Sequence, residues 1–240
     1  PTDYNFTRGN NVYAQEDRDN NNNTFGLAGT STTALTDLTF DFTYDPTKSP
    51  TDPTSENQKA AIVNLFYWNN IIHDLAYVYG FDEAGGNFQN NNQGRGGAGN
   101  DYVIADAQDA SGTNNANFST PADGSRPRMQ MYVWTPATPD RDSDMDNGII
   151  VHEYTHGISN RLTGGPSNTS CLTNSEQAGE GWSDYFGLMA TTDWATATLT
   201  SGTGPRGVGT YVINQPTNGT GIRRYPYSTS MTTYPLTYAN

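Results

Sequence analysis

Residues 152–165 read His-Glu-Tyr-Thr-His-Gly-Ile-Ser-Asn-Arg-Leu-Thr-Gly-Gly, and two of the chain's three histidines lie in the first five positions. The stretch sits in a segment predicted to be helical from near Asp146 to about Leu162, stopped by Gly164-Gly165-Pro166. On a helix, residues four apart share a face, so the imidazoles of His152 and His156 project together and can reach one metal ion. Glu153 is turned away from that line. Its carboxylate can stand beside a metal and take a proton from a bound water without ligating the ion. The plain alternative is a helix whose two histidines make ordinary hydrogen bonds.

A catalytic zinc takes three protein ligands and keeps one position open. His73 belongs to a different predicted helix, so a carboxylate is the natural third ligand. Glu180 lies in Ala178-Gly179-Glu180-Gly181-Trp182-Ser183-Asp184, on a third helix predicted from Ser175 to about Thr191. Gly179 and Gly181 are expected to let this helix approach the histidine helix closely. Asp184, four residues on, shares a face with Glu180 and can accept a hydrogen bond from the free ring nitrogen of a ligand histidine. Asn160, four residues after His156, is a second candidate for that task. The aromatic neighbours Trp182, Tyr185 and Phe186 predict that this helix is buried, since unpaired carboxylates there would be costly.

Outward from this stretch the chain alternates strands and helices. The period-2 pattern of Leu35, Leu38, Phe40 and Phe42 predicts a strand over Thr36 to Thr43. A helix of about 24 residues follows, capped by Thr54 or Ser55 and stopped by Gly80, with Ile62, Phe66, Ile71, Leu75 and Val78 at helical spacing. Residues 84–100, rich in Gly and Asn, read as a long surface loop. Tyr102 to Ala107 and Arg128 to Trp134 read as strands, and Gly209 to Ile213 as a short strand-like run in a turn-rich tail.

The composition limits the partners. The 240 residues carry 25 acidic and 12 basic side chains, a net charge of -13. That field excludes nucleic acid and an anionic membrane surface as partners. No apolar run approaches the roughly 18 residues of a membrane-spanning helix. The 28 aromatic residues, 15 Tyr, 9 Phe and 4 Trp, mark a folded chain. The single cysteine, Cys171, excludes a thiolate metal cluster and an internal disulfide, and is read first as a buried small residue. His73 is read as a structural histidine. Asp140, Asp142, Asp144 and Asp146 offer oxygens of the kind Ca2+ takes, but a helix N-terminus also favours such charge. Asn5, Asn22, Asn117, Asn168 and Asn218 open glycosylation sequons. The opening at Pro1 suggests a processed chain.

The stretch HEYTHGISNRLTGG (152–165), with Gly179 to Asp184 (GEGWSD), resembles the fungalysin family of secreted metalloendopeptidases, distant relatives of thermolysin. Asn11 to Asp19, Asn64 to Phe88, Asn114 to Trp134 and Gly221 to Ser228 (GIRRYPYS) resemble it too, so the likeness runs over nearly the whole chain. The resemblance implies an α+β fold, the thermolysin-like zincin catalytic lobe: a β-rich N-terminal part, long helices, and the HExxH zinc helix at the base of a cleft, with residues 1–240 as one catalytic domain. It implies one Zn2+ held by His152, His156 and Glu180, with Glu153 as general base on a zinc-bound water and Asp184 behind a ligand histidine. Asn115 and Ala116 resemble the edge strand that pairs with an extended substrate. Protein or peptide substrates, secretion, and an N-terminal propeptide inhibitor in a precursor follow from the same likeness. Fungalysins carry a further helical lobe after the GIRRYPYS region, so this chain is expected to lack the C-terminal lobe, its oxyanion donor, and a possible partner for Cys171. Two other readings stand beside it. A zinc aminopeptidase would need an acidic anchor for the substrate amine, of which there is no signature. A non-catalytic zinc-stabilised or carbohydrate-binding module would have no use for Glu153.

Overall fold

The computed structural model describes residues 3–33 and 37–237, a mixed α/β arrangement. Four strands form one sheet: β1 (Val12–Glu16), β2 (Val103–Ala107), β3 (Ala116–Ser119) and β4 (Arg128–Met131), in the order β1-β2-β4-β3. The β1/β2 and β2/β4 pairs are parallel, and β3 runs antiparallel along β4 as an edge strand. A parallel pair needs a long crossover, and the helix α1 (Asn57–Val78) lies in the one between β1 and β2. A small ribbon, β5 (Val133–Trp134) with β6 (Arg141–Asp142), then leads through one 3-10 turn into α2 (Asn147–Thr163), and α3 (Gly179–Ala190) follows.

Side-chain alternation explains the core. Val12 and Ala14, Val103, Ala105 and Ala107, and Met129 and Met131 face one side of the sheet. There they meet Ile62, Leu65 and Ile72 of α1 and Ile150, Val151 and Tyr154 of α2. Among the described residues the opposite side carries a small cluster of Tyr13, Tyr102 and Ile104, with Phe6 and Ala28 packed on it. Asp146 caps α2, its carboxylate accepting from the Ile149 N–H at 3.4 Å, and Gly164 ends the helix.

The structure departs from the sequence expectations at five places. Residues 37–43 form no strand; Leu35 and Thr36 lie outside the described residues. Phe40 packs on Phe66 and Phe42 lies under Lys59, so both rings serve α1 instead of a sheet. The α1 cap position is Glu56, although Ser55 Oγ accepts from the Asn57 N–H at 3.3 Å. Within the Gly/Asn-rich 84–100 segment, Asn87 and Phe88 are fully buried, because the Phe88 ring packs against Phe81, Phe118 and Tyr154. The third helix begins at Gly179, after a turn in which the Gln177 N–H reaches the Asn174 carbonyl. Residues 209–213 close a turn, entered at Gly209 with φ +64° and tied by the Gln215 N–H to the Thr210 carbonyl.

Candidate metal centre

Helices α2 and α3 bring the candidate ligands together. The Nε2 atoms of His152 and His156 lie 3.0 Å apart. Glu180 Oε2 is 3.2 Å from the first and Oε1 is 3.4 Å from the second. The close approach of the helices comes from Gly187, not from Gly181. A Cβ on Gly187 would lie 2.8 Å from the Gly148 carbonyl oxygen, whereas one on Gly181 would meet open space. The expected burial of α3 is also corrected. Trp182, Tyr185 and Phe186 are exposed, and the helix buries only Gly179, Ser183, Asp184 and Gly187. Glu180 stands at the surface of the site with its side chain 64% exposed.

Asp184 lies behind the histidines. Its Oδ1 is 2.8 Å from His152 Nδ1. A carboxylate accepts only, so Nδ1 carries a proton, and Nε2, on the side of His156 and Glu180, is the nitrogen a metal ion would take in place of a proton. Sequence reading missed what holds Asp184. Arg223 donates to it from Nε at 2.8 Å and Nη2 at 2.7 Å, and the Tyr227 hydroxyl donates at 2.7 Å. Both residues sit in the Gly221–Ser228 stretch, which the family likeness marked without a role. Arg223 Nη2 also comes within 3.6 Å of Glu180 Oε2. Asn160 does not serve as a histidine partner: its amide donates to Thr120 Oγ1 at 3.0 Å, tying α2 to the end of β3.

The electrostatics of the pocket favour a cation. Burial lowers the His152 imidazole, but the hydrogen bonds of Asp184 and Glu180 and the charge of Glu153 outweigh it and raise it to about 9. Burial and the charge of His152 lower His156. Burial pushes Glu153 up to about 7, against the pull of His152. The hydrogen bond from His152 lowers Glu180. Burial opposes ionisation of Asp184, yet hydrogen bonds from Arg223, His152 and Tyr227 hold it far below the usual carboxylate range. The carboxylates of Glu153 and Glu180 beside the two Nε2 atoms make this a place that a cation would complement.

The site opens into a cavity of about 390 Å3 lined by His152, Glu153, His156, Glu180, Arg223 and the edge strand at Asn115 and Ala116. Ala116 pairs with Met131 on one side of β3; its other side faces no strand among the described residues. Phe118 of β3 presses on α2 at Gly157, where a Cβ would lie 2.5 Å from the ring.

The remaining candidates lie elsewhere. Asp140, Asp142, Asp144 and Asp146 do not gather round one ion among the described residues: Asp146 caps α2, while Asp142 accepts from Gln108 Nε2 at 2.7 Å and the Asp144 N–H at 3.0 Å. His73 is buried beside Asp74 at 2.9 Å and Gln89 at 3.2 Å, a structural position. Cys171 is a half-buried free thiol against Gly164.

The family model described as Fungalysin metallopeptidase (M36) matches residues 1–240. The chain is 51% identical over 237 residues to the extracellular metalloproteinase MEP of Fusarium vanettenii, covering 98% of this chain and 35% of that protein. It is 47% identical over 241 residues to the MEP of Neosartorya fischeri, covering 100% of this chain and 36% of the relative. The mep of Aspergillus fumigatus is 46% identical over 241 residues, with the same coverage of 100% and 36%. The chain thus spans about a third of the length of these curated relatives.

Proposed function

The chain belongs to the fungalysin (M36) metallopeptidase family, and on that premise we propose that it is the zinc-binding part of a secreted endopeptidase that hydrolyses peptide bonds of protein substrates. The observation that carries the reading is the convergence of His152 Nε2, His156 Nε2 and the Glu180 carboxylate, 3.0 to 3.4 Å from one another. Two imidazoles and one carboxylate are a donor set that zinc takes in catalytic sites. Zinc, when bound, supplies Lewis acidity: it makes water acidic near neutral pH and polarises a carbonyl.

The chain's own residues do the rest. The Glu153 carboxylate, raised to about 7 by burial, accepts the proton of the attacking water and hands it to the leaving amine nitrogen. Asp184 keeps the proton of His152 on Nδ1, so that Nε2 stays free to ligate. Arg223 and Tyr227 hold Asp184 in place. The open edge of β3 at Asn115 and Ala116 pairs with the main chain of an extended substrate and lays its scissile bond over the helix.

The relatives' names support secretion, and no helix among the described residues is long and apolar enough to cross a membrane. The thermolysin-like form of the lobe, a propeptide that keeps a precursor inactive, and a further helical lobe that completes the cleft belong to the same reading. An apolar groove of about 760 Å3, between Trp68 and Tyr79 of the α1 side and Phe186 and Trp194 of the α3 side, suits the packing of such a lobe.

Chelation tests the reading. The purified protein should lose casein cleavage in a strong chelator and regain it on adding zinc. Cleavage by the full-length protein that persists in the chelator overturns it, and so does a full-length protein with no cleavage to lose, as a binding module would be.

A further inference from the structure

His152, His156 and Asn160 follow one another at intervals of four along α2, so they lie on one stripe of the helix. The first two converge on the metal position. The third reaches the edge strand: Asn160 Nδ2 donates to Thr120 Oγ1 at 3.0 Å. Thr120 directly follows β3, and the alternation of the strand puts it on the side of Ala116 and Phe118. That is the side α2 covers, since the Phe118 ring packs against Tyr154 and Gly157.

The other bonds that hold β3 belong to its own sheet. Ala116 to Ser119 pair with Met131 to Arg128 of β4. The Asn114 N–H reaches the Val133 carbonyl at 3.0 Å, and Asn114 Oδ1 accepts from the Thr135 N–H at 2.7 Å. Asn117 Nδ2 donates to the Tyr132 hydroxyl at 2.6 Å. These bonds fix the strand within the sheet but not against the helix that carries the histidines. Three contacts reach that helix. The Phe118 ring on Gly157 sets a separation but has no directional bond. Arg161 donates to the Pro121 carbonyl at 2.8 Å, yet it also holds Gly86 and Asp101, so it clamps the whole fold. The Asn160–Thr120 bond is directional and local, and Asn160 lines the same cavity as His152, Glu153 and Glu180.

We propose that Asn160 is a positioning residue for the substrate main chain: through Thr120 it sets where the free edge of β3 stands relative to the two histidines. That role rests on the endopeptidase reading above, in which an extended substrate pairs with β3. One helical stripe then carries two metal ligands and the anchor of the strand that lays the substrate over them. A long substrate, which runs along β3, depends on the anchor. A short one, which binds through the groups next to its scissile bond, does not.

The test uses the zinc-loaded full-length protein and two substrates, a peptide of about eight residues, long enough to run the length of the strand, and a blocked dipeptide. Thr120→Val keeps the shape of the side chain and removes its hydroxyl; Thr120→Ser keeps the hydroxyl. In Thr120→Val and in Asn160→Ala the ratio of kcat/KM for the long peptide to that for the dipeptide should fall about 3- to 10-fold, the size of one hydrogen bond. Thr120→Ser should keep the wild-type ratio, and the double variant should lose no more than either single one. A readout free of turnover is calorimetric binding of the long peptide in a Glu153→Gln background, where Thr120→Val should weaken it by the same factor while zinc content stays at that of the parent. An unchanged ratio and unchanged peptide binding in the folded, zinc-loaded variants overturn the proposal and leave the endopeptidase reading standing. Equal losses on both substrates overturn it too, because they mark a general structural role. A wild type that cleaves neither substrate overturns the endopeptidase reading and this proposal with it.

Discussion

Nδ1 of His152 lies 2.8 Å from Oδ1 of Asp184, and this one bond joins the two helices that carry the candidate ligands. It fixes which imidazole nitrogen faces the metal position. Asp184→Asn offers an amide that can face His152 with either end, so the tautomer is no longer dictated. Zinc affinity should fall about 10- to 100-fold while the circular dichroism spectrum stays native. Competition with a chromophoric chelator measures it, and an unchanged affinity would contradict the role given to Asp184.

Arg223 grips Asp184 with two nitrogens at 2.8 and 2.7 Å, and on the proposed reading it would act on zinc through that carboxylate. Lysine keeps the charge but cannot reproduce that fork. Arg223→Lys should therefore weaken zinc several-fold, less than Asp184→Asn does. The double variant should bind zinc little more weakly than Asp184→Asn alone, because apart from Asp184 the arginine reaches the site only by its 3.6 Å approach to Glu180. Additive losses would mean that Arg223 acts on the ion by a separate route.

The candidate ligands were legible because they are local. His152 and His156 lie one turn apart, and Glu180 and Asp184 repeat that spacing on the next helix, so the helical period alone aligns each pair. Arg223 was not legible, since it reaches Asp184 across 39 residues of turn-rich chain that has no periodicity to read. Composition misled in two places. Phe40 and Phe42 alternate like a strand but pack on α1, and the polar 84–100 segment hides Phe88 in the core.

Two glycines separate packing from propensity. Gly157 faces the rings of Phe118 and Phe88 at 2.5 and 2.8 Å from where a Cβ would stand. Gly157→Ala should cost about 1–3 kcal/mol in urea unfolding, as overpacking does. Gly181 on α3 faces open space, so Gly181→Ala should stabilise by up to about 1 kcal/mol. The opposite order of stabilities would refute the packing of β3 on α2.

His73 gives the fold a pH dependence of known sign. Burial holds its imidazole below the ordinary value of 6.5, although hydrogen bonding and charge from Asp74 pull it upward. Below 6.5 the unfolded chain therefore takes up a proton that the folded chain refuses. The stability from neutral His73 is present above that pH and is lost as pH falls through the lower folded value. In urea unfolding at fixed zinc, wild type should lose more stability than His73→Gln between about pH 7.5 and 5. Parallel slopes for the two proteins would contradict it.

Glu153→Gln tests the central claim most directly. Glu153 is buried in the same cavity as the ligands but is not one of the three groups that converge on the metal position. Glutamine keeps its shape and cannot take a proton. Metal analysis and casein cleavage should be read on the same purified sample. The account predicts one zinc per chain, wild-type unfolding, and a loss of turnover of at least about 100-fold. A zinc-loaded Glu153→Gln protein that cleaves casein at the wild-type rate would contradict it.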